Sequence, residues 1–162
     1  MKTEIFMNQQ KDKGLHFSGK QGSFLLLMVL LTVALIVGCE KKTYERVETT
    51  WPDGSPQMSR NYKTEEMKEA VFETHFYDSG SKRVAGPLKN EKRDGKWEAW
   101  YEDGTLWSVG YFTEGVENGT KTVYFENGKK YYEGPIKNDQ RTGTWKFWDE
   151  EGKLVKEVNY DR

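Results

Sequence analysis

Cysteine is almost absent from this chain: among 162 residues there is one, Cys39. A single thiol excludes an internal disulfide framework and leaves no cysteine pair to hold a metal. Histidine is nearly as scarce, with only His16 and His75. An excess of one charge is missing too, since 25 Lys and Arg face 26 Asp and Glu. Without a basic field, nucleic acid is not an expected partner. After Cys39 the aliphatic residues run short, with Leu88, Leu106, Leu154 and Ile136 the only Leu and Ile. A two-layer sandwich or a helical bundle of this size needs many more of them. Rings are what that segment holds: all six Trp and all nine Tyr follow Cys39. Aromatic ladders on a thin sheet fit this supply, because each ring buries much area against cross-strand neighbours.

No apolar run reaches the roughly 20 residues of a spanning helix. The longest, residues 24–37 (FLLLMVLLTVALIV), is preceded by Lys2, Lys11, Lys13 and Lys20. A basic segment followed by a short apolar core reads as a secretory signal or anchor helix. The run ends at Ile36-Val37-Gly38-Cys39, which resembles the cleavage box of bacterial lipoprotein precursors. The resemblance implies a signal peptide over residues 1–38, cleavage before Cys39 and attachment of lipid to its sulfur. An uncleaved anchor ending near Cys39, or a signal with an incidental cysteine, is the other reading. The lipid would fix an exported protein to a bacterial membrane, the outer one in a Gram-negative cell, because Glu40 rather than aspartate follows the cysteine. Residues 39–46 form a short linker before the first expected strand near Val47. The mature chain of 124 residues has 21 basic and 24 acidic side chains, enough for one domain.

That domain repeats itself. The segments VFETHFYDSG, GKWEAWYEDG, GTKTVYFENG and GTWKFWDEEG begin at residues 71, 95, 119 and 143, a period of 24. Gly80, Gly104, Gly128 and Gly152 fill one column; Phe76, Trp100, Tyr124 and Trp148 fill another. A fixed period of 20–50 residues marks an architecture whose units bury their apolar faces against their neighbours. Units fall near 47–70, 71–94, 95–118, 119–142 and 143–162. The first carries a two-residue insertion near residues 63–69.

Asp53-Gly54, Ser79-Gly80, Asp103-Gly104, Asn127-Gly128 and Glu151-Gly152 separate runs rich in aromatic and β-branched residues. Such dipeptides signal hairpins with two-residue type I′ turns. With Asp103-Gly104 as the loop, Tyr101 faces Leu106, Trp100 faces Trp107, Ala99 faces Ser108 and Trp97 faces Gly110. One face then carries Trp97, Ala99, Tyr101 and Leu106, matched later by Val123, Phe125, Trp145 and Phe147. The other carries Trp100–Trp107, Tyr124–Tyr131 and Trp148–Val155. Gly86, Gly110 and Gly134 recur opposite the Trp97 column, where a missing Cβ leaves a notch for an indole. Loops at 88–95, 112–119 and 136–143 join the hairpins. About ten strands result, in an all-β, open, twisted antiparallel meander of stacked hairpins, with the charged tail from Asn159 guarding one edge.

The columns are similar to the MORN-repeat variant family, whose unit runs G-x-W-x-x-Y/W-Y-x-N-G and then E-G-x-Y. Residues Gly95–Gly104, Tyr124–Gly128 with Tyr132-Glu133-Gly134, and Gly143–Trp148 carry the match. The family includes a YwqK-like antitoxin group and many exported lipoproteins. Resemblance implies an open sheet and a non-catalytic role as a membrane-anchored protein-interaction scaffold in the cell envelope. An antitoxin or immunity protein and an envelope carbohydrate-binding protein are the alternatives.

Possible chemistry elsewhere is thin. His75 shares a column with Ala99, Val123 and Phe147, as a sheet-face substitution does. Acidic residues recur at every hairpin tip, whereas a catalytic pair is needed once. Lys92-Arg93, Lys129-Lys130 and Arg141 read as solvated loop charges. No glycine motif follows a strand and opens a helix, so no phosphate cradle, cofactor or metal is expected. The candidate binding face is the set Phe76, Trp100, Trp107, Tyr124, Tyr131 and Trp148, as rings able to receive a partner.

Overall fold

The computed structural model describes residues 42–161. The expected signal peptide (1–38) and Cys39, the expected site of lipid attachment, lie outside them. The strands are β1 (Tyr44–Thr50), β2 (Pro56–Tyr62), β3 (Ala70–Phe76), β4 (Lys82–Lys89), β5 (Lys92–Arg93), β6 (Gly95–Trp100) and β7 (Leu106–Thr113). They continue as β8 (Val116–Glu117), β9 (Gly119–Tyr124), β10 (Lys130–Lys137), β11 (Gln140–Arg141), β12 (Thr144–Trp148) and β13 (Leu154–Asn159). All belong to one sheet; ten follow one another in chain order, and β5, β8 and β11 pair with the ends of β4, β7 and β10. Each described pairing is antiparallel, so the expected meander of hairpins is the fold. The first strand starts at Tyr44 rather than near Val47.

Turn chemistry is the reverse of the expectation. At the tips only the glycines have positive φ: 88° at Gly54, 84° at Gly80, 89° at Gly104, 78° at Gly128 and 85° at Gly152. Gly104 N–H donates to Tyr101 O (3.0 Å) and Tyr101 N–H to Thr105 O (2.8 Å). These bonds describe a three-residue loop, a type I turn closed by a left-handed glycine, in place of type I′. The Asp103 carboxylate caps it by accepting from Thr105 N–H (2.8 Å). Glu151 is tolerated because its φ is ordinary and Asp149 caps that loop instead, from Lys153 N–H (2.8 Å). The type I′ signature, two consecutive positive φ values, sits in the connectors: Asn90-Glu91, Glu114-Gly115 and Asn138-Asp139. The expected long loops are therefore tight miniature hairpins that extend the strands.

The extra tip residue changes the register locally. Trp97 does face Gly110 and Ala99 faces Ser108, but Trp100 pairs with Leu106, and Trp107 is the odd residue of a bulge. Likewise Tyr124 pairs with Lys130 rather than Tyr131, and Trp148 with Leu154 rather than Val155. A bulge re-aims the side chain it inserts.

The buried cluster lies on the Trp97 face, with Tyr62, Ala70, Leu88 and Trp97 backed by Met67, Val84 and Phe112. Small residues are buried on the opposite face, Ser59, Thr74, Ala85, Val109 and Thr122. Longer charged neighbours bond over some of them, as Ser59 Oγ–H does to Glu45 (2.8 Å) and Thr122 Oγ1–H to Glu133 (3.1 Å). Hairpins are also stapled at their tips. Tyr77 O–H donates to Trp100 O (2.9 Å), and 24 residues later Tyr101 O–H donates to Tyr124 O (2.8 Å). The tail ties back, Tyr160 N–H donating to Gly143 O (2.9 Å) and Asp161 accepting from Gly143 N–H (2.7 Å).

Candidate functional site

Two units on the Trp97 face share one construction. Trp97 is 3% exposed; its indole lies over Gly86, where a methyl group would overlap the ring, and its Nε1–H donates to Pro87 O (3.0 Å). The Arg93 guanidinium covers the ring at 4.1 Å from the centroid, and Phe112 meets it edge-on at 6.3 Å. Trp145, 1% exposed, repeats this over Gly134, with Nε1–H to Pro135 O (3.1 Å) and Arg141 at 4.4 Å. A cation over a desolvated indole face is favourable by about 0.5–2 kcal/mol. Arg93 and Arg141 are exposed, as expected of loop charges, and their guanidiniums also pack on the rings. Their spacing was the missed signal: Arg-x-x-x-Trp occurs at 93–97 and again at 141–145.

The unit between them is built differently. Lys121 stands in the tryptophan column and Glu117 in the arginine column, paired at 2.9 Å. Gly110 faces Trp97 in register but receives no indole; the nearest atom to an added methyl there is Glu117 Oε1, at 2.5 Å. The notch used by each ring belongs to the preceding hairpin, so the expected Gly110–Trp97 contact is absent. Rings lean one way across the sheet, and sequence opposition alone does not reveal which.

A depression of about 330 Å³ opens at this irregular unit. Its lining includes Trp97, Ala99, Trp107, Ser108, Val123 and Tyr132. A continuous row crosses the sheet here: Met58, His75, Val84, Ala99, Ser108, Val123, Tyr132, Phe147 and Lys156. Ala99 and Ser108 are its smallest members and form the floor. Beyond Val123 the row is covered by rings, Tyr132 and Phe147 lying 5.9 Å apart and Tyr132 and Trp145 5.8 Å. Burial pushes the Tyr132 phenol pKa up.

The proposed recognition rings divide between faces. Phe76, Trp100, Tyr124 and Trp148 alternate with the Trp97 face and are half-buried. Trp107 and Tyr131 are the bulged residues and turn to the other side. Trp107, 45% exposed, lines the depression and lies 6.2 Å from Tyr101. Tyr131, 44% exposed, packs against Phe125 (4.6 Å) and Tyr132 (5.0 Å). The six rings therefore do not form one surface, and the two most exposed sit together with the Trp97 face.

The first two units carry ions where the later ones carry rings. Glu73 accepts from Arg60 Nε–H (2.9 Å) and contacts His75 Nε2 (2.8 Å); Arg60 also reaches Glu91 (2.9 Å). The His75 bond, aided by Arg60 and opposed by burial, brings the Glu73 carboxyl down to about 2. Glu48 binds Arg46 (2.7 Å) and the Tyr62 hydroxyl. These groups are spent on one another, a sheet-face network and not an open acid–base site. Among the described residues no group of three His, Cys, Asp or Glu side chains is placed to hold a metal ion.

Residues 93–114, 117–138 and 141–162 each match the MORN repeat variant model, at the same 24-residue period. No curated protein sequence matches the chain. Among solved structures it is similar to Staphylococcus aureus TarM, one form of which was crystallised with fondaparinux, α-GlcNAc-glycerol and UDP. That likeness has a TM-score of 0.47 at 18% identity, over 89% of this chain and 24% of the other. A glycosylation associate protein complex from Streptococcus agalactiae gives 0.40 at 15%, over 78% and 26%. The chain spans about a quarter of the length of either structure.

Proposed function

We propose, from the premise that residues 93–162 are three MORN-variant repeats in tandem, that this protein is a non-catalytic interaction scaffold held at a bacterial membrane by lipid on Cys39. One observation carries the recognition part: the layer of rings and capping guanidiniums on the Trp97 face is broken by an open depression beside the exposed Trp107. Open sheets expose large apolar rings at a solubility cost, and such patches mark interaction sites. The Glu73, His75 and Arg60 cluster is paired within itself and lies outside that depression. The anchor rests on the Ile36-Val37-Gly38-Cys39 box. With β1 starting at Tyr44, lipid on Cys39 leaves only residues 40–43 as linker.

Two measurements test this. Cys39→Ser is expected to release the protein from membranes or to block its processing; normal cleavage with unchanged membrane retention refutes the lipid anchor. A photo-cross-linking phenylalanine analogue at position 107 is expected to trap a discrete envelope protein in living cells. Cross-links to polysaccharide alone would replace the scaffold with the carbohydrate-binding reading. A single toxin trapped there would narrow it to an immunity protein.

A further inference from the structure

The depression lies where four repeat columns each depart from their ring-bearing or bulky form. Ala99 stands in the column that holds His75, Val123 and Phe147, and Ser108 in the column that holds Val84, Tyr132 and Lys156. Lys121 replaces the tryptophan of the flanking units and Glu117 the arginine. These departures converge on one spot, and the result is a recess of about 330 Å³, at the small end of the roughly 300–1,000 Å³ of ligand pockets. Units further along show what such a recess accepts in this fold, since there Tyr132, Trp145 and Phe147 fill positions in the same columns.

A second feature is a backbone acceptor. Pro87 O takes two donors, Asp94 N–H (3.1 Å) and the Trp97 indole N–H (3.0 Å). Pro135 O takes Thr142 N–H (3.0 Å) and the Trp145 indole N–H (3.1 Å). The equivalent oxygen in the middle unit, Tyr111 O, takes Asn118 N–H (2.8 Å), while Lys121 in the tryptophan column supplies no indole. A carbonyl oxygen has two lone pairs, so Tyr111 O retains capacity for a further donor. The rim carries both signs, Arg93, Lys121 and Glu98, but Glu98 is paired with Lys96 (2.6 Å). Arg93 lies over Trp97 and Phe112 and has no carboxylate partner among the described residues, whereas Lys121 is paired with Glu117.

We infer that the recess over Ala99 and Ser108 binds an aromatic side chain, an indole above all, presented by a partner polypeptide beside a carboxylate. The ring completes the interrupted layer between Trp97 and Tyr132, and the carboxylate meets Arg93. Such a buried aromatic anchor is how a small interface concentrates its affinity. This deepens the scaffold reading by naming what the partner must bring.

The probe is 3-indolepropionate, titrated onto the full-length protein in detergent and followed by saturation-transfer NMR. Tryptophol, the same ring without the carboxylate, and N,N′-diacetylchitobiose are run in parallel. Indolepropionate is expected to bind more tightly than tryptophol, and the disaccharide not at all. Ala99→Phe fills the recess with the residue found at Phe147, and Ser108→Tyr with the residue found at Tyr132, so the fold has precedent for both. Each is expected to weaken indolepropionate by about tenfold or more while melting as the parent does or higher. Undiminished binding by both filled variants, no binding by the parent, or binding of the disaccharide in preference to the indole overturns the inference. Loss of indolepropionate binding with the position-107 cross-link intact would sink this proposal and leave the scaffold standing. The opposite result would sink the scaffold and leave the ring-binding recess.

Discussion

A methyl group added to Gly86 tests the packing of the whole Trp97 face. At that position a Cβ overlaps the rigid Trp97 ring, so the indole must lift from its seat. Lifting it breaks the bond to Pro87 O, about 1 kcal/mol net, and loosens the Arg93 stack, about another 1 kcal/mol. It also returns part of a nearly buried ring to water, against about 3–5 kcal/mol for deleting such a ring altogether. Replacing glycine by alanine within a strand recovers roughly 0.5–1 kcal/mol of chain entropy. Gly86→Ala should therefore cost about 3 kcal/mol, or on the order of 10 °C in Tm for a domain of this size. Gly110→Ala is the control in the same column. Its methyl meets the movable end of Glu117, so the same exchange should fall within about 1 kcal/mol of the parent. Urea unfolding followed by tryptophan fluorescence measures both. A double-mutant cycle with Trp97→Ala sharpens the test, because without the indole Gly86→Ala should become nearly neutral. Equal effects at Gly86 and Gly110, or no coupling to Trp97, would refute the assignment of each notch to the hairpin that follows it.

The tip staples predict a gain where one is missing: Phe125 stands in the Tyr77 and Tyr101 column, so Phe125→Tyr should donate to Trp148 O and raise stability by about 1 kcal/mol, while Tyr101→Phe should lower it by a similar amount. Chemical denaturation decides, and a destabilised Phe125→Tyr would contradict the ladder. The Glu73 network predicts acid sensitivity. A carboxyl held at about 2 when folded against 4.5 otherwise adds stability that is full above pH 4.5 and drains away as pH falls toward 2. The amount is up to roughly 3 kcal/mol. Glu73→Gln should accordingly be destabilised at neutral pH and show a flatter stability profile between pH 4.5 and 2; parallel profiles would show that Glu73 is not the titrating group.

The period of 24 residues and the column of tip glycines were enough to establish an open meander of hairpins. Repetition constrains each unit to bury its rings only on its neighbours, and that is a property of the pattern itself. The body register was legible as well, because Trp97 opposite Gly110 and Ala99 opposite Ser108 follow from counting back from a tip. Three things were not legible. Asp-Gly is compatible both with a type I′ turn and with a three-residue loop, and backbone twist and capping by Asp103 select the second. That choice inserts Trp107 and Tyr131 as bulges and carries them to the opposite face from Trp100 and Tyr124. Side-chain lean is the second, since an indole opposite Gly110 was free to lie over Gly86 instead.

The recess is the third. Ala99, Ser108, Gly110 and Lys121 are unremarkable in the chain, where they are spread over 23 positions. Hydrogen bonding between adjacent strands sets them side by side, and there four small or polar choices become one opening in a layer of rings. Which residues alternate, and how often, belongs to the linear order of the sequence. Which of them end up facing the same empty space depends on loops, bulges and ring orientation, and those are settled only when the strands pack.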